Sequence, residues 1–559
     1  MVPFDFSLRK TFAYQLNFIE FIDGNPLQSV GSQGPGGNAL LLSKLTTPLG
    51  ATVFTSNFKL GDSSLDALEL MNAEYQESVA LLVEEEAGRE RPNALCRREK
   101  VGADYVGVIS GSGHLTVFDD DNVPLVDLPV DALDVVPNVS PISYLKSLSI
   151  TSNTSAAVSS AVSDPSDPSA AIFTPLILPP ELTLEAALQA VLSHPSVCSK
   201  RFLTAKVDRC VGGLVAQQQC IGPCHTPLAD YALVALNYFS LQGCACAVGE
   251  QPLKGLLSPA ANARLSAIEA LTNLVGCAIT KLEDIKLALV WAWPANMGEA
   301  EANNLYRTAE VLVDFCRQLG VTIESSVESL NSGVLSSEAE KTSDQANSPP
   351  TKPPGTLIVT AYAPVPDIRV KVTPELAVTD TCLIYLNFRA ASQQAFRLGG
   401  SILAQTVGQL GAQWPDVENV EHFKTVFTTV QSLIKEGIIT AGHDVSDGGL
   451  VVALLEMAFA TNCGLKVNFE YSVPQSEEPR EYADFEVLFA EEPALLLEVP
   501  IEQQRNVMKA FNGTGLNPQV IGRAVEEDWV EIAINGVVKI KVRSLGVFKM
   551  LTNFFFRTK

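Results

Sequence analysis

Seven consecutive residues, His443-Asp444-Val445-Ser446-Asp447-Gly448-Gly449, set an imidazole, two carboxylates and a hydroxyl directly ahead of a glycine pair. The apolar run Leu450-Val451-Val452-Ala453-Leu454-Leu455 follows and predicts a helix. The first N–H groups of a helix have no intrahelical partner and favour an anion. Carboxylates beside such an end suit a divalent cation shared with that anion. The plainer alternative is a capped helix, with Asp447 as the cap and the other residues as loop decoration. Two carboxylates, an imidazole and a hydroxyl within five residues favour a site.

Three further oxygen donors lie elsewhere in the chain. Glu269 and Asn273 are four apart, about one helical turn, so they emerge on the same side of a helix. They flank its apolar stripe and belong at the edge of a core. Taken alone, the pair reads more readily as a solvated glutamate and a satisfied asparagine. Asp230 follows Thr226-Pro227-Leu228-Ala229 and opens an apolar strand, a place where aspartate is often only a turn residue. Asp230, Glu269, Asn273 and Asp444 together are hard oxygen ligands of the kind that hold Mg²⁺ with phosphate. Spacing alone does not require them to converge.

Helices and strands must carry these residues. Ser258 is a helix N-cap with Pro259 at the first helical position. Leu265, Ile268, Leu271, Val275 and Ala278 then recur at three- and four-residue steps and predict one buried face. A second helix is expected from roughly Glu299 to Leu319. Strands are expected at Ala232–Leu236, Lys286–Trp293, Leu357–Tyr362 and Cys382–Leu386. The class is α+β with mixed sheets.

Two stretches, 147–171 and 331–355, are rich in Ser, Ala, Asp and Pro and read as linkers. They cut the chain into three blocks. The first and third share a pattern: a polar loop ending in Gly-Gly, a helix, then an acidic residue entering an apolar strand. Ser32-Gln33-Gly34-Pro35-Gly36-Gly37 and Glu77-Ser78-Val79 carry it in block one. His443 to Gly449 and Glu491-Glu492-Pro493-Ala494 carry it in block three. This order points to a duplicated domain.

With 47% hydrophobic and 18% charged residues, the 559-residue chain can bury large cores. A net charge of −24 argues against nucleic acid and anionic membrane as partners, since both need clustered Lys and Arg. It leaves nucleotides open, because phosphates are held by helix ends, glycine loops and metal ions. The 11 cysteines are scattered among apolar runs and read as free thiols in a reducing compartment. Cys220 and Cys224 lack a second Cys/His pair at zinc spacing. Residues 1–21 do not read as a signal peptide, and no apolar stretch is long enough to span a membrane, so a cytoplasmic location is expected.

Several stretches together resemble one family. They are Lys206-Val207-Asp208-Arg209-Cys210-Val211-Gly212-Gly213-Leu214-Val215-Ala216-Gln217-Gln218-Gln219, the run from Gly222-Pro223 to Asp230, and Gly249-Glu250-Gln251-Pro252. Glu269-Ala270-Leu271-Thr272-Asn273, His443 to Leu450 and Asn72-Ala73-Glu74-Tyr75-Gln76-Glu77 complete the set. Their order resembles the large single-chain phosphoribosylformylglycinamidine synthases from about Gly24 to Ile540.

The resemblance implies a fold of aminoimidazole-ribonucleotide-synthetase-like domains. Residues 24–146 would be the C-terminal-type domain of a first copy. Residues 172–330 and 356–545 would be the N-terminal-type and C-terminal-type domains of a complete second copy, with linkers at 147–171 and 331–355. It implies an ATP-dependent ligase of purine biosynthesis that converts formylglycinamide ribonucleotide to its amidine, using ammonia that a glutaminase domain releases from glutamine. Mg²⁺ and ATP or ADP are the implied cofactors. Carried over by motif, Asp230, Glu269, Asn273 and Asp444 would ligate Mg²⁺, and Ala229 and Ser446 would contact the nucleotide. In the large enzymes this set resembles an auxiliary, mainly structural nucleotide site.

Two loops depart from the family. Gly31-Ser32-Gln33-Gly34-Pro35-Gly36-Gly37 stands where the family has His-Asp-Gln-Gly-Ala-Gly-Gly. Ser325-Ser326-Val327-Glu328-Ser329-Leu330-Asn331 stands where it has Gly-Gly-Lys-Asp-Ser-Leu-Ser. The ATP-binding half of the first copy and the glutaminase domain have no counterpart in the sequence, and Gly546–Arg557 does not match the family. A synthase-core fragment is therefore expected, with stand-alone activity in question. The alternative is a non-catalytic relative acting as a protein-interaction module. Another ATP enzyme of the superfamily, of selenophosphate or thiamine-phosphate type, fits less well with the Gln-Gln-Gln run.

Overall fold

The structure is a computed structural model. It describes residues 27–34, 36–62, 64–75, 78–83, 89–119, 121–130, 174–204, 212–295, 299–330, 352–389, 396–471 and 482–544. The expected linker 147–171, all but the end of 331–355, the signature residues 206–211, the pair Gln76-Glu77 and the tail 546–557 lie outside them. The chain divides near residue 154 into two compact units.

The first unit begins with strand β1 (Leu27–Ser32) and helix α1 (Gly37–Thr46). Strand β2 (Ala51–Phe54), helix α2 (Ala67–Asn72) and strand β3 (Val79–Val83) follow, then helix α3 (Glu90–Glu99). Strands β4 (Gly107–Ile109), β5 (His114–Phe118) and β6 (Pro124–Pro129) end it. β1 pairs antiparallel with β3, and the other strands are ordered β4-β2-β5-β6. Leu42, Ala51, Val53, Met71, Leu115 and Val117 form its core.

The second unit opens with helices α4 (Leu184–Ser193) and α5 (Arg201–Thr204). Strands β7 (Val215–Gln217), β8 (Ala232–Ala235) and β9 (Gly243–Glu250) lead to helices α6 (Pro252–Leu257) and α7 (Pro259–Leu274). Strand β10 (Lys286–Ala292), helix α8 (Glu299–Leu319), and strands β11 (Thr322–Ser329) and β12 (Thr356–Val365) complete a first layer. Its strands run β11-β10-β12-β9-β8-β7. The remainder comprises β13 (Thr381–Asn387), α9 (Ile402–Thr406), α10 (Val420–Lys435), β14 (Ala441–Val445) and α11 (Leu450–Thr461). It continues with β15 (Gly464–Phe469), α12 (Ala483–Phe489), β16 (Ala494–Pro500), α13 (Gln504–Ala510), β17 (Gln519–Val525), β18 (Val530–Ile534) and β19 (Val537–Val542). Its sheet is ordered β14-β16-β13-β17-β15-β18-β19.

The local chemistry accounts for these elements. Ser258 Oγ accepts the Ala261 N–H at 3.2 Å and starts α7 as the cap chemistry requires. The expected stripe of Leu265, Ile268, Leu271, Val275 and Ala278 is buried throughout. The strands and the second helix stand where the sequence places them, within a residue or a few at each end. β13 is buried at every position, as a central strand covered on both faces must be. Segment 325–329, the altered loop, is part of edge strand β11 rather than a loop.

One apolar core joins the two sheets of this unit. Ile268 and Leu271 from α7, Trp291 and Val359 from the first sheet, Phe423 and Phe427 from α10 and Leu497 from β16 share it. Gln431 secures the same junction from within. Its Nε2 donates to Val275 O at 2.7 Å and Cys277 O at 2.8 Å, and its Oε1 accepts the Ile279 N–H at 3.0 Å.

Gln431→Leu keeps the volume but strips three buried backbone groups of their partner, each worth about 1–3 kcal/mol. Urea unfolding of the larger unit is expected to show a loss of about 3 kcal/mol or more, whereas a substitution at exposed Ser432 on the same helix should change it by less than about 0.5 kcal/mol.

Candidate functional site

β14 ends at Val445, Ser446 and Asp447 turn the chain, and α11 begins at Leu450. Gly448 and Gly449 have φ of 89° and 77°, a backbone region that favours glycine. A Cβ on Gly449 would stand 2.7 Å from Ala490 O, so only glycine lets the turn lie against the segment entering β16. The first unit repeats this construction. β1, Gly36-Gly37 and α1 correspond to β14, Gly448-Gly449 and α11, and a Cβ on Gly37 would stand 2.7 Å from Ala73 O. β1 pairs antiparallel with β3 as β14 pairs with β16. The acidic residue that reaches the first turn is Glu74, whose Oε1 accepts the Gly36 N–H at 3.4 Å. The expected Glu77 lies outside the described residues.

The core that joins the two sheets brings α7 to β14. Glu269, Asp444, Ser446 and Glu491 line one cleft there, together with Gln251 and Thr272. Glu269 Oε2 accepts the Glu250 N–H at 2.7 Å and Gln251 Nε2 at 2.9 Å. Asp230, before β8, meets β14 from another side: Asp230, His443 and Asp444 each offer a ligand atom within 4.8 Å of the others. His443 Nδ1 lies 2.8 Å from Asp230 Oδ1, and its Nε2 lies 3.1 Å from Glu456 Oε2.

Asp444 thus belongs to both groupings. Asn273 does not line the cleft: its Nδ2 donates to Val248 O at 3.0 Å, which leaves Oδ1 as the atom it can offer. The Ala229 N–H is bonded to Gln219 O at 3.1 Å.

The electrostatics follow from burial and crowding. Burial pushes the Asp444 carboxyl up, the Asp230 charge adds to the rise and His443 opposes it, leaving Asp444 at about 7. Burial also lifts Glu269 well above the carboxylate range, with Asp447 and Asp444 repelling its charge. Burial raises Asp230, and His443 pulls it part of the way back. Burial alone would lower His443, but the Asp230 and Glu456 carboxylates hold its imidazolium well above the usual range. Carboxylates kept out of water and close to one another gain from a shared cation. Hard oxygen donors at a helix N-terminus fit Mg²⁺ and a phosphate by donor chemistry. Among the described residues no thiolate cluster competes, and the described cysteines are free.

Sequence reasoning gave no role to His443, Glu456 or Glu491. Glu456 carried a signal: it is the single charged residue of the twelve in α11. His443 lay inside the motif, but its clamping between Asp230 and Glu456 depends on Asp230, 213 residues away.

Two family models match the chain: "FGAR-AT PurM_N-like domain" at residues 199–364 and "AIR synthase related protein, C-terminal domain" at 395–535. They establish aminoimidazole-ribonucleotide-synthetase-like domains with mixed α/β sheets, as the resemblance implied. The human phosphoribosylformylglycinamidine synthase is 40% identical over 527 residues, 94% of this chain and 37% of its own length. The probable chloroplastic/mitochondrial phosphoribosylformylglycinamidine synthase of Arabidopsis thaliana is 37% identical over 94% of this chain and 35% of its own. The chain therefore spans little more than a third of these relatives. T. maritima PurL complexed with AMPPCP is 15% identical, with a TM-score of 0.48, over 92% of this chain and 67% of that one. No described helix is long and apolar enough to cross a membrane.

A raised carboxyl makes the folded chain bind a proton that the unfolded chain releases. For Asp444 the unfolded carboxyl titrates near 3.8 and the folded one near 7. Its contribution is most favourable at low pH and is lost as pH rises through about 7. In buffer containing a metal chelator, Tm is expected to rise on going from about pH 8 to about pH 6. Asp444→Asn should remove most of that slope; an unchanged slope in the variant would assign it to other groups.

Proposed function

The chain is a relative of the phosphoribosylformylglycinamidine synthases, and from that premise we propose that it carries their synthase core with an auxiliary nucleotide site. The observation that supports this most is the convergence of Glu269, Asp444 and Ser446 in one cleft, at the turn that starts α11. Asp230 and Asp444 would offer carboxylate oxygens to the cation, and Glu269 and Asn273 would contribute from α7. Ala229 and Ser446 would contact the nucleotide. A divalent cation there would neutralise phosphate oxygens of ATP or ADP. The helix end and its turn would orient the phosphate chain, while His443 holds Asp230 in place through its 2.8 Å contact.

The wider activity proposed for the whole protein is the ATP-dependent conversion of formylglycinamide ribonucleotide to its amidine in purine biosynthesis, with glutamine as amide donor. Its location is proposed to be cytoplasmic, and its partners are small-molecule nucleotides and a glutaminase domain. The domain division proposed is 24–146 for the C-terminal-type domain of a first copy, and 172–330 with 356–545 for a complete second copy. The recurrence of the glycine-pair turn, from β1 to α1 and again from β14 to α11, supports a duplicated domain. The first-unit turn carries Ser32 where the second carries Asp444, so the nucleotide site is assigned to the second copy alone.

Mg²⁺ with ADP at about a hundredfold excess over its Kd should stabilise the chain by about 2.7 kcal/mol, a Tm rise of several degrees in scanning calorimetry. Asp444→Ala and Glu269→Ala should each abolish the rise, and ADP in chelator should give little. No shift with the unaltered chain would overturn the nucleotide site and favour a protein-interaction role.

A further inference from the structure

Lys254 and Glu491 form an ion pair in the interior, with side-chain exposures of 3% and 1%. Lys254 comes from α6, directly after the Glu250-Gln251 segment that holds Glu269. Glu491 lies between α12 and β16. One carboxylate oxygen receives the Lys254 ammonium. The other accepts two backbone donors, the Ile402 N–H at the start of α9 at 2.8 Å and the Gly448 N–H at 2.9 Å. Burial pulls the Lys254 ammonium down, but the charges of Glu491, Asp447 and Glu269, with the hydrogen bond to Glu491, together outweigh it, and the group ends above its usual range.

The geometry is that of an internal anion seated under the turn. Gly448 has no side chain with which to fix itself, and its φ of 89° is available only to a flexible residue. A charge-assisted N–H···O⁻ bond is roughly twice as strong as a neutral one, so a carboxylate is a firm anchor for it. A longer, exposed counterpart stands at the turn of the first unit, where the Gly36 N–H donates to Glu74 Oε1 at 3.4 Å, which points to a device of the turn and not to a chance packing.

We propose that Lys254 and Glu491 are positioning residues: together they fix the Gly448–Gly449 turn before any ligand arrives, so that Asp444 and Ser446 face Glu269 in binding geometry. Burial raises the Glu491 carboxyl and the Lys254 ammonium bonded to it counters that rise, while the second carboxylate oxygen holds the Gly448 amide. The consequence for affinity rests on the nucleotide site proposed above; the fixing of the turn does not. Removing the charge should therefore loosen the turn without emptying the core.

The test compares the full chain with the neutral, similarly sized double variant Lys254→Met/Glu491→Gln. Three readouts are needed: Tm, hydrogen exchange by mass spectrometry on a peptide spanning Asp444 to Val452, and the Kd of Mg²⁺–ADP by calorimetry. The double variant should keep its Tm within about 3 °C. Its turn should exchange at least about fivefold faster, and its Kd should weaken by about tenfold or more. Lys254→Arg, which keeps the charge, should retain the unaltered chain's exchange. Should the double variant fail to fold, Lys254→Gln decides by the same two readouts. Unaltered exchange and affinity in the neutral variant would overturn the proposal, as would an equal loss in Lys254→Arg. Faster exchange in the variant, with no Mg²⁺–ADP binding even by the unaltered chain, would overturn the nucleotide reading while the positioning stands.

Discussion

Negative charge held out of water in and beside a narrow cleft is the constraint around which the larger unit is arranged. Asp230, Glu269, Asp444 and Glu491 are buried or nearly so, and Asp447 adds its charge from the turn. Buried carboxylates are tolerated only where each has a partner. For three of the four the unit supplies a hydrogen-bonded partner. His443 serves Asp230, Lys254 serves Glu491, and the amide groups of Glu250 and Gln251 serve Glu269. Satisfying these charges ties the segment before β8 to β14, α6 to the segment entering β16, and α7 to the end of β9.

The glycine-pair turn separates architecture from chemistry. Both units contain it, and in both a glycine lies where a Cβ would collide with the backbone entering the next strand. In the first unit the residues before it are Gly31-Ser32-Gln33-Gly34-Pro35, without an ionisable side chain. Gln33 there turns to Asn38 at 2.8 Å. The turn therefore does not need carboxylates within its own loop to form. In the second unit His443, Asp444 and Asp447 occupy those positions. They bring desolvated charge to a place whose backbone geometry was already settled, which is the pattern of a binding site added to a fold.

Much of the scaffold was legible because local rules govern it. The Ser258-Pro259 helix start needs only the cap and the first turn. The stripe from Leu265 to Leu271 and the alternating burial of β12 express the two side-chain periods directly. The linkage of Glu491 to Gly448 was not legible, since its partners lie 43 and 237 residues away. The altered segment at 325–329 read as a departed loop, yet its β-branched and polar residues extend beside β10 as an edge strand.

The sequence by itself determined the family likeness, the α+β class and the main elements, and it nominated four oxygen donors, because motif identity and periodicity are properties of neighbouring residues. Only the tertiary structure decided which of those donors meet. It gathered Glu269, Asp444 and Ser446 in one cleft, set Asp230 beside His443, and turned the Asn273 amide toward Val248. It also decided the charge state of the cluster, because burial and the separation between carboxylates exist only once distant segments have packed together.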